Sequence, residues 1–168
     1  MIESMYQVLR ESQNHWLPRR GCRYHVRQWG QAQAGGTPLV LAHGWMDVAA
    51  SYQFMVDALP EAFAAGRSII APDWRGFGQT GAGEADNFWF PDYLADLDAL
   101  LDTLYPDQAI DLVGHSMGGN VVMMYAGTRP ARIRRLVNLE GFGMAATRPA
   151  QAPGRMAQWL DELKAQRQ

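Results

Sequence analysis

The sequence predicts an α/β protein, a mostly parallel sheet flanked by helices, and three observations carry that reading. Short, largely apolar runs recur at residues 38–42, 68–72, 110–113 and 133–139, the form expected of strands buried on both faces of a parallel sheet. Longer segments with helical spacing lie between them, and such alternation leads to parallel crossovers. The runs end in glycine-bearing turns, where a chain can bend sharply.

In order, residues 1–22 read as an N-terminal arm, with a polar helix or arm at 2–11. Residues 22–29 form a strand, 31–37 a loop and 38–42 the next strand. A helix over 52–59 is amphipathic through Phe54, Met55, Ala58 and Leu59. The strand near 68–72, a helix over 91–105 and the strand at 110–113 follow. A buried helix over 120–126 stops at Gly127-Thr128-Arg129-Pro130, and 133–139 is the next strand. Residues 23–146 are thus expected to form the sheet and its helices, with 147–168 a separate tail. In that tail, Met156, Trp159, Leu160 and Leu163 recur at helical spacing and seek a partner.

The chemistry centres on Gly114-His115-Ser116-Met117-Gly118, placed between a strand and a helix. A serine at the apex of such a bend projects its Oγ as a nucleophile, and Gly114 and Gly118 remove side chains that would collide there. The competing reading is a serine that only caps the helix. Attack on an acyl carbon places negative charge on oxygen, so two N–H donors must converge on it. The backbone N–H of Met117 is one candidate. Gly44, in His43-Gly44-Trp45 after the strand at 38–42, lets the chain present that of Trp45 as the second. His43 itself reads as a hydrogen-bonded residue that fixes the loop. Gly76-Phe77-Gly78-Gln79-Thr80-Gly81 spells a dinucleotide-binding turn, yet no helix opens after it, and Asp96 and Asp98 fall within a helix instead of at a strand end.

Taken together, His43-Gly44-Trp45, Asp73-Trp74-Arg75-Gly76-Phe77-Gly78 and Gly114 through Gly119 resemble the N-terminal half of an α/β-hydrolase, over about residues 23–143. The resemblance implies an α/β-hydrolase fold, truncated before its last strands, with its site at the carboxyl ends of the strands, a partial core over 23–146 and the start of a cap at 147–168; the alternative for that tail is a helix docked on the same domain as a brace. It implies Ser116 as nucleophile and Asp73 and Arg75 as structural ties near the site. An intact serine argues against epoxide or haloalkane chemistry, which in this fold uses an aspartate there. The family orders its triad serine, acid, histidine. Here Glu140, Asp161 and Glu162 follow Ser116, and no histidine follows His115. Glu140, in the turn after the strand at 133–139, is the candidate acid; its alternative is a carboxylate that pairs with a neighbouring loop. His115 is adjacent to the serine and expected to point elsewhere, and His15 and His25 lie early in the chain. The histidine is therefore expected in sequence beyond these residues, and the chain alone is expected to be nearly inactive.

Composition agrees with a soluble, cytoplasmic enzyme. The 15 Lys and Arg against 17 Asp and Glu give a net charge of −2, without a basic patch for nucleic acid. The strands are too short to span a membrane, and the first 17 residues lack a signal-type apolar core. One cysteine, Cys22, makes no internal disulfide or multi-cysteine metal site. No cofactor or metal is expected, and the partner is a small-molecule acyl substrate lined by Trp45, Phe77, Phe88 and Trp89. Oligomeric state is left open. Alternatives are a non-catalytic binding protein on the same fold, or a cofactor-free enzyme performing C–C hydrolysis or peroxide-dependent oxidation.

Overall fold

The computed structural model describes residues 6–83, 88–143, 146 and 148–165. Six strands form one sheet in the order β1-β2-β4-β3-β5-β6, with β1 Ser12–Arg19, β2 Cys22–Trp29, β3 Leu39–Ala42, β4 Ile69–Pro72, β5 Ile110–His115 and β6 Ile133–Leu139. The β3, β4, β5 and β6 pairings are parallel, and β1 and β2 extend the sheet antiparallel. Among the described residues there are five α-helices: α1 Gln53–Ala58, α2 Glu61–Ala64, α3 Phe90–Leu104 and α4 Met117–Thr128, which lie in the crossovers between the parallel strands, and α5 Ala152–Ala165, which follows β6.

Period-two alternation distributes each strand between two cores. Val40 and Ala42 of β3 face a cluster with Leu97, Leu100 and Leu101 of α3 and Val121, Val122 and Tyr125 of α4. Leu39 and Leu41 face the opposite cluster, with Trp29, Val113 and Val56 of α1. Each such side chain, taken from water, contributes about 1.5–3 kcal/mol. At the amino end of β5 the buried Asp111 accepts hydrogen bonds from Arg67, at 2.8 Å, and from Arg134. Burial pushes its carboxyl up, but the two guanidinium groups together outweigh that and hold it below the usual carboxylate range.

The N-terminal reading needs correction at residues 12–19. They form β1, paired with β2 from Ser12↔Trp29 to Arg19↔Cys22, and Arg20 and Gly21 turn the hairpin with φ of 45° and 75°. The preceding residues make no helix from Tyr6 onward; the first five lie outside the described residues. Arg10 fastens the segment instead, its backbone N–H donating to Asp57 at 2.8 Å and its guanidinium to the carbonyls of Val56 and Leu59. The short helix α2 also went unanticipated.

At the other edge, every residue of β6 after Ile133 is exposed. α5 has no buried residue; its Arg155, Met156 and Trp159 form a cleft of about 190 Å³ with Trp89. Residues 84–87, 144, 145, 147 and 166–168 lie outside the described residues. Among the described residues no helix is long and apolar enough to cross a membrane.

Candidate active site

Backbone strain alone picks out one end of the sheet. Among the described residues four non-glycine residues have positive φ, and apart from Arg20 in the hairpin they are Met46 at 56°, Ser116 at 51° and Glu140 at 59°. Ser116 and Glu140 immediately follow β5 and β6, and Met46 lies in the loop after β3. Each such conformation costs about 1–3 kcal/mol and persists only where its surroundings fix it.

Around Ser116 those surroundings are largely backbone. Its N–H donates to the Leu139 carbonyl at 2.8 Å, and its own carbonyl accepts from Asn120 N–H at 3.1 Å. The Ser116 side chain makes no capping hydrogen bond at the start of α4. A Cβ on Gly118 would lie 2.2 Å from the Ala42 carbonyl oxygen, so α4 leaves β5 close against the end of β3. A Cβ on Gly44 would meet Ser116 Cβ at 3.2 Å, which places the turn after β3 against the serine. Among the described residues, the N–H groups of Trp45 and Met117 have no protein acceptor. The first N–H groups of any helix lack an intrahelical partner.

Two loops hold this arrangement. His43 is fully buried; its Nδ1 meets the Gly44 carbonyl at 2.8 Å and its Nε2 accepts from Trp74 N–H at 3.0 Å. That pattern fixes a neutral tautomer, with Nδ1–H donating. Burial lowers the His43 pKa from its ordinary value. Asp73 accepts from Ala49 N–H at 2.6 Å and from Gln79 N–H at 2.8 Å. Arg75 donates two hydrogen bonds to the buried Asp96, at 2.6 and 2.7 Å, and Tyr24 and Arg20 bind the same carboxylate. Asp96 is thereby committed within the fold, and residues 76–81 form turns without opening a helix, the opposite of a dinucleotide site. Exposed Trp45 packs edge-on against Phe77, ring centroids 5.5 Å apart.

Glu140 occupies the turn beside the serine, because β5 and β6 pair in register up to His115↔Leu139. Its carboxylate is 73% exposed and lies 3.7 Å from His115 Nε2. That loose contact is the only one the structure gives between a histidine and Glu140 among the described residues. His15 lies on β1 and His25 on β2, away from β5 in the sheet order. Two asparagines that the sequence reading passed over shape this turn. Asn138 accepts from Gly141 N–H at 2.8 Å and donates to the Gly141 carbonyl at 2.6 Å, and Asn120 accepts from Gly143 N–H at 2.7 Å. Their only sequence signal is asparagine next to a glycine-rich turn. No group of three His, Cys, Asp or Glu among the described residues could hold a metal ion.

Comparison with known proteins points the same way. A family model described as alpha/beta hydrolase fold matches residues 37–168. The chain is 33% identical to the cis-3-alkyl-4-alkyloxetan-2-one decarboxylase of Shewanella oneidensis, over 86% of this chain and 44% of that protein. It is 34% identical to the 2-hydroxy-6-oxo-2,4-heptadienoate hydrolase of Pseudomonas putida, over 66% of this chain and 39% of that protein. It therefore spans less than half the length of these curated relatives. The thioesterase domain from the curacin biosynthetic pathway superposes with a TM-score of 0.74 at 27% identity, covering 91% of this chain and 52% of that domain. With strained residues gathered at the carboxyl end of a mostly parallel sheet, and with the match running over most of its length, this chain belongs to the alpha/beta hydrolase fold family.

Proposed function

We propose that this chain is the nucleophile-bearing half of a serine hydrolase acting on an ester or related acyl bond of a small molecule. The observation that carries the reading is Ser116, held at φ 51° without a capping bond, beside the N–H groups of Met117 and Trp45, which have no protein acceptor among the described residues. Ser116 Oγ attacks the acyl carbon, its proton passes to a histidine supplied by sequence beyond residue 168, and the two N–H groups receive the oxyanion. Glu140 is the acid that orients that histidine. Its support is its place one strand over from the serine, in a turn that Asn138 and Asn120 hold in a strained conformation. The tetrahedral intermediate collapses with cleavage of the bond to the leaving group, which takes the proton from that histidine; the same histidine then deprotonates water, whose attack frees the carboxylic acid and returns the proton to Ser116 Oγ. In this reading α5 begins a cap, with Trp89, Met156 and Trp159 contributing apolar lining.

A second reading, C–C bond hydrolysis at the same serine, draws support from the relative named 2-hydroxy-6-oxo-2,4-heptadienoate hydrolase. A fluorophosphonate probe followed by peptide mass spectrometry tests the serine chemistry common to both. A longer protein carrying this chain and a downstream histidine is expected to form an adduct at Ser116 that Ser116→Ala abolishes. The 168-residue chain alone is expected to label weakly or not at all, since loss of a triad member costs up to about 10⁶ in turnover. Absence of the adduct from the longer protein would sink the proposal. Ester against C–C substrates then separate the two readings.

A further inference from the structure

The segment 43–49, which carries Trp45, is pinned at both ends by two consecutive residues of another loop. At its start, Trp74 N–H donates to His43 Nε2 at 3.0 Å and the Trp74 indole N–H to the His43 carbonyl at 2.8 Å. At its end, Ala49 N–H donates to Asp73 Oδ1 at 2.6 Å. The second Asp73 oxygen accepts from Gln79 N–H at 2.8 Å and from His25 Nδ1 at 2.7 Å. His25 Nε2 in turn meets Asn14 Oδ1 at 2.9 Å, across the β1–β2 hairpin. The His25 and Asp73 side chains are 2% and 3% exposed, so neither has water as a ready substitute partner.

A carboxylate serves two loops at once only in one orientation of its plane, and a short buried hydrogen bond to one oxygen selects that orientation. The backbone makes the coupling tighter. His25 N–H donates to Thr80 Oγ1 at 2.9 Å, and Asp73 N–H donates to the His25 carbonyl at 3.0 Å. We propose that His25, braced by Asn14, is a positioning residue: it sets the Asp73 carboxylate that pins the turn 43–49 beside Ser116. His25 touches neither substrate nor nucleophile, and its effect reaches them through Asp73 and Ala49. The antiparallel hairpin at the sheet's edge thereby becomes part of the apparatus that aims the Trp45 N–H. This rests on the proposed role of that N–H as an oxyanion donor.

Native-state hydrogen exchange on the 168-residue chain tests the positioning without requiring turnover. His25→Leu removes the donor at similar bulk; His25→Asn keeps one, its Nδ2 standing near the position of the imidazole Nδ1. With Leu112 as the report on global stability, the Ala49 and Gln79 amides of His25→Leu are expected to exchange about tenfold faster relative to wild type than Leu112 does. His25→Asn is expected to restore their protection. Ala49 exchange that only follows Leu112, or His25→Asn behaving like His25→Leu, would overturn the proposal. In the longer protein, His25→Leu is expected to slow fluorophosphonate labelling of Ser116 and His25→Asn to recover it. A wild-type serine that forms no adduct would remove the hydrolase reading while leaving the exchange result to decide the pinning.

Discussion

The turns at Ser116 and Glu140 close neighbouring parallel strands, share a positive φ, and are held by different means. The serine turn lies among buried elements and is fixed by backbone against backbone, with Gly118 pressed on the Ala42 carbonyl. The glutamate turn ends a strand exposed along nearly its whole length, and the amides of Asn138 and Asn120 hold it. One half of the candidate site is therefore made of contacts that no side-chain change can mimic. The other depends on replaceable side chains. Strain at Ser116 is over-determined, whereas strain at Glu140 rests on a few hydrogen bonds.

The largest expected effect breaks the serine side. Gly118→Ala forces a Cβ to 2.2 Å from one carbonyl oxygen and 2.5 Å from another, and is expected to destabilise the chain by about 3 kcal/mol or more, read as a lower urea midpoint. A midpoint within error of wild type would show that α4 is free to shift.

Acidification probes the same side. Burial holds the His43 pKa below its ordinary 6.5, so folding disfavours a proton that the unfolded chain accepts. The resulting stability is fully present above the unfolded value and is lost as pH falls from there through the folded value. Urea midpoints at about pH 8 and about pH 5 are expected to differ in that direction, and His43→Gln is expected to flatten the difference.

Asn138→Ala tests the glutamate side. Loss of its two bonds to Gly141 is expected to cost about 1–2 kcal/mol, with faster amide exchange at Gly141 and little change at Leu112. A global loss of protection would mean that the two turns are not separable. The smallest effects sharpen the comparison: Ser116→Gly and Glu140→Gly each relieve a positive φ and are expected to stabilise by about 1 kcal/mol. The gain at Glu140 should be the smaller, because exposed surroundings enforce less strain.

Much of the fold is legible in the sequence because apolar runs announce buried strands. The strand at Cys22–Trp29 and the one at Ile133–Leu139 have the boundaries that their residues suggest. β1 is not legible in the same way: Ser12-Gln13-Asn14-His15-Trp16-Leu17-Pro18-Arg19 is polar and contains a proline, since a half-exposed edge strand needs little apolar surface. Only the Arg20-Gly21 pair between two runs hinted at a hairpin. At the candidate site, Gly44 and Gly118 stand out because close approach of the backbone demands glycine there, and Ser116 because it stands between Gly114 and Gly118 at a strand-to-helix bend. Asn138, Asn120 and His25 do not, because their partners lie on other segments and only the assembled sheet brings them together.

Gly119 and Gly141 face each other across the two turns. A Cβ on Gly119 would lie 2.9 Å from Gly141 Cα, and one on Gly141 would lie 2.8 Å from Gly119 Cα. Asn138 Oδ1 is nearer still, 2.4 Å from either added Cβ, so the first turn of α4 and the loop after β6 close on each other around that amide. A side chain at either glycine would push the two turns apart, so the approach of the Ser116 turn to the Glu140 turn depends on both positions staying bare. The spacing between the Ser116 and Glu140 turns is in this sense a machined dimension, set by hydrogens where any other residue would place a carbon.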